Sequence, residues 1–118
     1  MAEAVVDASA GAAVMAPPTK IADLVSLSRQ ASLFVSGDTG PLHIAATVGT
    51  PIVALFGPTS AARNGPWDRR DISLSRYDTC VCHYQRRCRR PDDWCLAGIT
   101  VDEVMSAVIA RLKAEGNE

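Results

Sequence analysis

Two short apolar runs bracket a segment punctuated by glycine and proline, and that spacing leaves few folds open. Leu33-Phe34-Val35 and Ile52-Val53-Ala54-Leu55-Phe56 show no polar alternation, the pattern of strands buried on both faces. Between them, Ser36-Gly37-Asp38-Thr39-Gly40 reads as a turn. Pro41 suits the first position of a helix, where its missing N–H costs nothing. That helix is expected to run through Ala45 and Ala46 to about Val48, where Gly49 and Pro51 stop it. A strand, a short helix and a second strand of this kind predict a right-handed parallel β-α-β unit. The expected class is therefore α/β.

The flanks extend the pattern. Thr19 is a candidate cap for a helix over Lys20 to Gln30, with Ile21, Leu24 and Val25 on one face and Asp23 favouring its start. Residues 71–75 suggest a short edge strand. Near the end of the chain, Thr100 and Glu103 have capping-box spacing and Ile99 can staple onto Val104. Val101, Val104, Met105, Val108, Ile109 and Leu112 repeat at helical spacing, which predicts a core-facing stripe. Residues 1–18 are Ala-rich and close on Pro17-Pro18, and they read either as a frayed helix or as a linker. At 118 residues the chain suits one small domain.

Composition narrows the partners. A net charge of -1 argues against a protein that coats nucleic acid. No stretch reaches the roughly 18 apolar residues of a membrane span. Glu3 and Asp7 interrupt the alanines, and no positive region precedes them, so the start makes a poor signal peptide. A cytoplasmic location is the expectation, with mainly reduced cysteines. Charge is uneven, however. Eight arginines lie between Arg63 and Arg90 against Asp68, Asp71 and Asp78, which reads either as a solvated basic loop or as a site for anionic ligands.

The turn after the first strand carries the chemistry. A Gly-rich turn feeding a helix N-terminus directs free backbone N–H groups outward, and the helix dipole adds partial positive charge, which favours an anion. Gly37 and Gly40 would let a ligand approach the backbone. Thr39 offers a hydroxyl to a phosphate oxygen, and His43 stands in the first turn of the helix. Asp38 would repel phosphate, so its role is to accept hydrogen bonds from turn amides or from sugar hydroxyls. The competing reading is local: Asp38 and Thr39 cap the helix and His43 packs nearby.

The wider wording of this segment resembles glycosyltransferase family 9, which includes the ADP-heptose:lipopolysaccharide heptosyltransferases. The resemblance is carried by Ser36-Gly37-Asp38-Thr39-Gly40-Pro41-Leu42-His43-Ile44-Ala45-Ala46 and by Gly49-Thr50-Pro51-Ile52-Val53-Ala54-Leu55-Phe56-Gly57-Pro58-Thr59. It continues through Asn64-Gly65-Pro66, the cysteine loop and Ile99-Thr100-Val101, and covers roughly residues 19–112. It implies a partial Rossmann-like parallel sheet belonging to the C-terminal half of a GT-B enzyme, with residues 19–118 as an incomplete nucleotide-sugar-binding domain.

In that family the D-T-G-x-x-H motif lies against the donor, which maps onto Asp38, Thr39, Gly40 and His43. The implied donor is an ADP-sugar such as ADP-heptose, and the implied acceptor is a lipopolysaccharide core or another glycan. Transfer inverts the anomeric carbon and uses no metal or other cofactor. The resemblance also places the catalytic base in an N-terminal acceptor domain. Residues 1–18 are accordingly expected to be the end of that missing part, the chain alone is expected to be inactive, and no carboxylate in it is assigned as base. The location implied is cytoplasmic, with peripheral contact at the inner face of the plasma membrane left open.

Cys80, Cys82, Cys88 and Cys95 follow C-x-C-x5-C-x6-C. Four thiols within so short a span can bind zinc, with His83 as a substitute ligand, but the spacing is not a pair of C-x-x-C knuckles. Reduced thiols or an adventitious disulfide are the other options. Arg86, Arg87, Arg89 and Arg90 either meet an anionic acceptor or are solvated, with Arg86 and Arg87 the first candidates. Trp67 and Trp94 are expected to pack over the core rather than stack on sugar. The alternative to a transferase is a non-catalytic α/β module that binds anions or zinc.

Overall fold

The computed structural model describes residues 2–65, 68–85, 87–90 and 94–116. Its centre is a three-stranded, wholly parallel sheet of β1 (Phe34–Gly37), β2 (Ile52–Phe56) and β3 (Ile72–Ser75), in the order β1-β2-β3. Phe34 pairs with Ile52 across the first ladder and Val53 with Ile72 across the second. The helices are α1 (Ala2–Ala8), α2 (Ile21–Gln30), α3 (Gly40–Thr47), α4 (Ala61–Asn64) and α5 (Val101–Gly116). Helices interleaved with parallel strands give the α/β class that the two apolar runs predict, in the Rossmann-like arrangement that the resemblance implies.

β2 is central, and Ile52, Val53, Ala54 and Phe56 are fully buried. Ile52, Ala54 and Phe56 share one face by strand alternation and pack with Leu42 and Ala45 of α3, joined at the edge by Phe34, Ala46 and Ala61. Val53 points to the opposite face, and α5 contacts both β2 and β3. α3 ends in a Schellman motif. Gly49 adopts φ +83, its N–H bonds to Ala46 O at 3.2 Å, and the Thr50 N–H bonds to Ala45 O at 3.1 Å.

Three local expectations need correction. Lys20, not Thr19, is the N-cap of α2, and the orphan Lys20 N–H is satisfied by the Asp23 carboxylate at 3.0 Å. β1 is not buried on both faces. It is a sheet edge among the described residues, and Val35 is 45% exposed. The apolar stripe of α5 faces the sheet only in part, with Val104 and Val108 half-buried. Val101, Met105, Ile109 and Leu112 are exposed, whereas Ala107 and Arg111 are buried. The reason is polar: α5 is turned so that Arg111 reaches the sheet.

Arg111 Nε donates to Asp71 Oδ1 at 2.8 Å, and its Nη1 donates to Glu115 Oε2 at 2.9 Å. The same Asp71 oxygen accepts the Ile52 N–H at 2.9 Å. The two side chains are only 1% and 3% exposed. Burial opposes the charge on Arg111, but the two carboxylates outweigh it and raise its pKa above the ordinary value. One ion pair thus ties the last helix to the start of the central strand.

At the helix start, the capping box is present. Thr100 N–H donates to Glu103 Oε2 at 2.7 Å and Glu103 N–H donates to Thr100 Oγ1 at 3.1 Å. At the other end of the chain none of the residues of α1 is buried. Among the described residues, no helix is long and apolar enough to cross a membrane.

Candidate functional site

The site forms where β1 hands over to α3. The β-strand ends at Gly37, Thr39 takes an extended N-cap conformation, and α3 begins at Gly40, one residue before Pro41. The N–H groups of a first helical turn lack intrahelical partners, so this end offers donors and the positive end of the dipole. A Cβ built on Gly40 would meet no atom within 4 Å, so the approach to this backbone is open. Thr39 does not cap the helix with its side chain. Its hydroxyl instead pairs with that of Ser36 at 3.2 Å.

Asp38 is held from two sides. His43 Nε2–H donates to Oδ1 at 3.1 Å, and Asn64 Nδ2–H donates to Oδ2 at 3.0 Å. The Asp38 side chain is 14% exposed and the His43 side chain 50% exposed. Burial raises the cost of ionising Asp38, yet hydrogen bonds from Thr59, Asn64 and His43 outweigh it and hold the carboxyl below the ordinary carboxylate range. The Thr59 hydroxyl is screened from solvent and has no partner at full hydrogen-bond geometry among the described residues.

Asp38, Thr39, Gly40 and His43 are therefore one cluster. Thr39 is the N-cap of α3 by its backbone, as the local reading has it, while its hydroxyl pairs with Ser36 and Asp38 is bound by the side chains of His43 and Asn64. Asn64 and Thr59 join this cluster although spacing alone does not single them out, being 26 and 21 positions beyond Asp38. Their only sequence signal is membership of the Gly57-Pro58-Thr59 and Asn64-Gly65-Pro66 stretches.

The basic and cysteine-rich loop meets the start of α4, where the Tyr84 phenol accepts the Ser60 N–H at 3.2 Å. Arg86 and Trp67 fall outside the described residues, and Arg87 is exposed. Trp94 is half-exposed rather than packed over the core, and it lines a cavity of about 280 Å³ with the four cysteines, Arg76 and Arg90. All four thiols are free, with Cys80 and Cys82 buried and Cys88 exposed. The Arg89 backbone N–H on Cys82 Sγ, at 3.0 Å, draws that thiol below its ordinary pKa. Burial, with the Cys80 thiol beside it, pushes Cys95 up. His83 stacks on Tyr77 with ring centroids 3.9 Å apart and donates to Tyr77 O at 2.7 Å, so it does not turn to the thiols. Among the described residues no three His, Cys, Asp or Glu side chains are grouped to hold a metal ion.

A family model described as glycosyltransferase family 9 (heptosyltransferase) matches residues 2–92, which include the whole of this cluster and the Ala-rich start. The chain belongs to that family. This family-9 chain is 29% identical over 82 residues to lipooligosaccharide heptosyltransferase 2 of Campylobacter jejuni, covering 69% of the chain and 26% of that relative. It is 34% identical over 64 residues to lipopolysaccharide core heptosyltransferase OpsX of Haemophilus influenzae, covering 54% of the chain and 18% of the relative. With lipopolysaccharide heptosyltransferase 3 of Escherichia coli K12 it shares 42% identity over 60 residues, covering 51% and 17%. The chain thus spans about a quarter or less of the length of these curated relatives. No solved structure matches.

Proposed function

We propose that this family-9 chain binds the diphosphate and sugar of a nucleotide-sugar donor, ADP-heptose or a close analogue, for transfer to a lipopolysaccharide-type glycan. The observation that carries this reading is the Asp38 carboxylate, fixed by His43 and Asn64 beside the open N-terminus of α3. The division of labour follows from charge. Backbone N–H groups and the helix dipole suit the diphosphate, and they stabilise the negative charge that grows on it as it leaves. The ionised Asp38 cannot serve phosphate. It suits sugar hydroxyls, which donate to a carboxylate, and the Thr59 hydroxyl beside it adds a second polar atom at the same place. The half-exposed His43 ring orients Asp38 and is itself reachable by ligand.

The role assigned to these residues is donor binding, and none of them is assigned as the base that activates an acceptor. The arginine loop, including Arg86 and Arg87, is the second place on this chain suited to an anionic acceptor. Isothermal titration with ADP and ADP-sugars tests the reading. Asp38→Ala is expected to cost about 1.5–3 kcal/mol of ADP-sugar affinity, the scale of a charge-assisted hydrogen bond, and to change ADP affinity much less, because the carboxylate serves the sugar. Equal losses for both ligands would contradict the division of labour, and no binding of either would remove the donor site altogether.

A further inference from the structure

We infer that Tyr84, in the cysteine loop, is a positioning residue that holds Asn64 against Asp38 by clamping α4 from outside. As a donor-site role this rests on the reading above.

The need for a clamp comes from α4 itself. It has four residues, Ala61–Asn64, and none of them is fully buried. One turn of helix does not hold its own shape in water, and its apolar anchor is slight, the partly buried Ala61 against the core. Yet its last residue must be held closely, because Asn64 donates a hydrogen bond to Asp38 at 3.0 Å. Its C-terminal side is tight. A Cβ at Gly65 would sit 2.2 Å from Ala61 O, and the Gly65 N–H bonds to that oxygen at 2.8 Å. Something has to anchor the other end.

Tyr84 does so through three contacts made by three different parts of the residue. Its backbone N–H donates to Pro58 O at 2.8 Å, pinning the exit of β2. Its phenolic oxygen accepts the Ser60 N–H at 3.2 Å. Ser60 is the N-cap of α4 and its hydroxyl accepts the Arg63 N–H at 3.3 Å. The Tyr84 ring then lies under the Arg63 guanidinium, 5.4 Å from its centroid, within cation–π range. Tyr84 reaches this pose with φ +58, a left-handed conformation that a bulky residue rarely takes unless its surroundings impose it. The Tyr77 ring meets it edge-on, with centroids 6.4 Å apart. The path from clamp to site is therefore Tyr84, Ser60 and Arg63, α4, Asn64, Asp38.

The test is hydrogen exchange of the Asn64 side-chain amide by NMR, on the full chain without ligand, in Tyr84→Ala, Tyr84→Gly and Tyr84→Phe. Tyr84→Gly relieves the left-handed backbone while deleting the clamp. Exchange is expected to quicken about tenfold in the Ala and Gly variants, the scale of one lost charge-assisted hydrogen bond. Tyr84→Phe keeps the ring and is expected to restore most of the protection. Unchanged exchange in the Gly variant overturns the inference, since the residue would then serve only its own backbone. If the Ala variant fails to fold, the Gly and Phe variants decide. In a second arm, ADP-sugar affinity should fall about tenfold in Tyr84→Gly but not further in an Asn64→Ala background. Failure of the wild-type chain to bind ADP-sugar sinks the donor reading while leaving the clamp to be judged on amide exchange.

Discussion

The β1–α3–β2 unit and the segment from β3 to α5 are held together by different forces. The first is apolar and local. Leu42 and Ala45 pack on Ile52, Ala54 and Phe56 within fifteen residues of chain. The second is tied down by polar contacts over long sequence separations. Arg111 reaches back 40 residues to Asp71, Arg76 reaches forward 27 to Glu103 at 2.5 Å, and Tyr84 reaches back 24 to Ser60. The apolar unit sets the position of the Asp38 turn, and the polar segment secures what surrounds it. Packing tolerates small changes in shape, whereas a buried charge tolerates no missing partner.

The largest expected effect follows from that asymmetry. Arg111→Ala strands the Asp71 carboxylate in a nearly solvent-free place and is expected to destabilise the chain by about 3–5 kcal/mol, a large share of a small domain's stability. Chemical denaturation measures it. Leu42→Ala, in the apolar unit, is expected to cost about 2–5 kcal/mol through its cavity, so that range overlaps the first. The two differ in rescue. Leu42→Met should recover most of the loss, whereas Arg111→Met should not, because Asp71 stays unpaired. A fully stable Arg111→Met would break the contrast between the two regions.

The same contrast explains what could be read from the sequence. The parallel β-α-β unit was legible because burial on both faces leaves an unalternating apolar run, and the run over Ile52–Phe56 proved to be the central strand. The capping box at Thr100 and Glu103 was legible because its partners lie three residues apart. The orientation of α5 was not. Of the stripe Val101, Val104, Met105, Val108, Ile109 and Leu112, Val104 and Val108 are half-buried and the other four exposed, and nothing in that periodicity reveals that a buried Arg111 rotates the helix. At the site, Asp38 and His43 were each legible as candidates, but the bond between them was not, since Asp38 was expected to accept from turn amides or sugar hydroxyls. Asn64 was not, since its bond to Asp38 depends on how a separate loop folds back. The Thr19 cap failed because the Asp23 carboxylate satisfies the orphan N–H one residue later.

A smaller effect is expected at the start of α5. Thr100→Ala removes the acceptor for the Glu103 N–H and should cost about 1 kcal/mol. Glu103 keeps its bond to Arg76, so the helix should shorten at its N-terminus without leaving the sheet. Hydrogen exchange that quickens beyond the first turn would show that this cap carries more of the polar segment than one hydrogen bond.

Acid weakens both regions through depressed carboxylates, and the sign is the same at each. Asp38 lies below its ordinary 3.8 because bonds from Thr59, Asn64 and His43 outweigh burial. Glu103 lies below its ordinary 4.5 because of the Thr100 N–H and then Arg76. Arg70 pulls the carboxyl of Asp68 down to about 2. A carboxylate whose folded pKa is depressed binds fewer protons folded than unfolded, so its stabilisation is complete above the unfolded pKa and is lost as pH falls through the folded one. Thermal midpoints are therefore expected to be flat with respect to these groups above about pH 5 and to fall progressively between roughly 4.5 and 2. Asp38→Asn should flatten part of that fall, while leaving the contribution of Glu103 and Asp68 in place. A profile in which Asp38→Asn changes nothing would mean that the His43 and Asn64 bonds add no stability. The Asp38 turn would then be held by the apolar packing of α3 on β2 alone, and its hydrogen bonds would serve ligand recognition only.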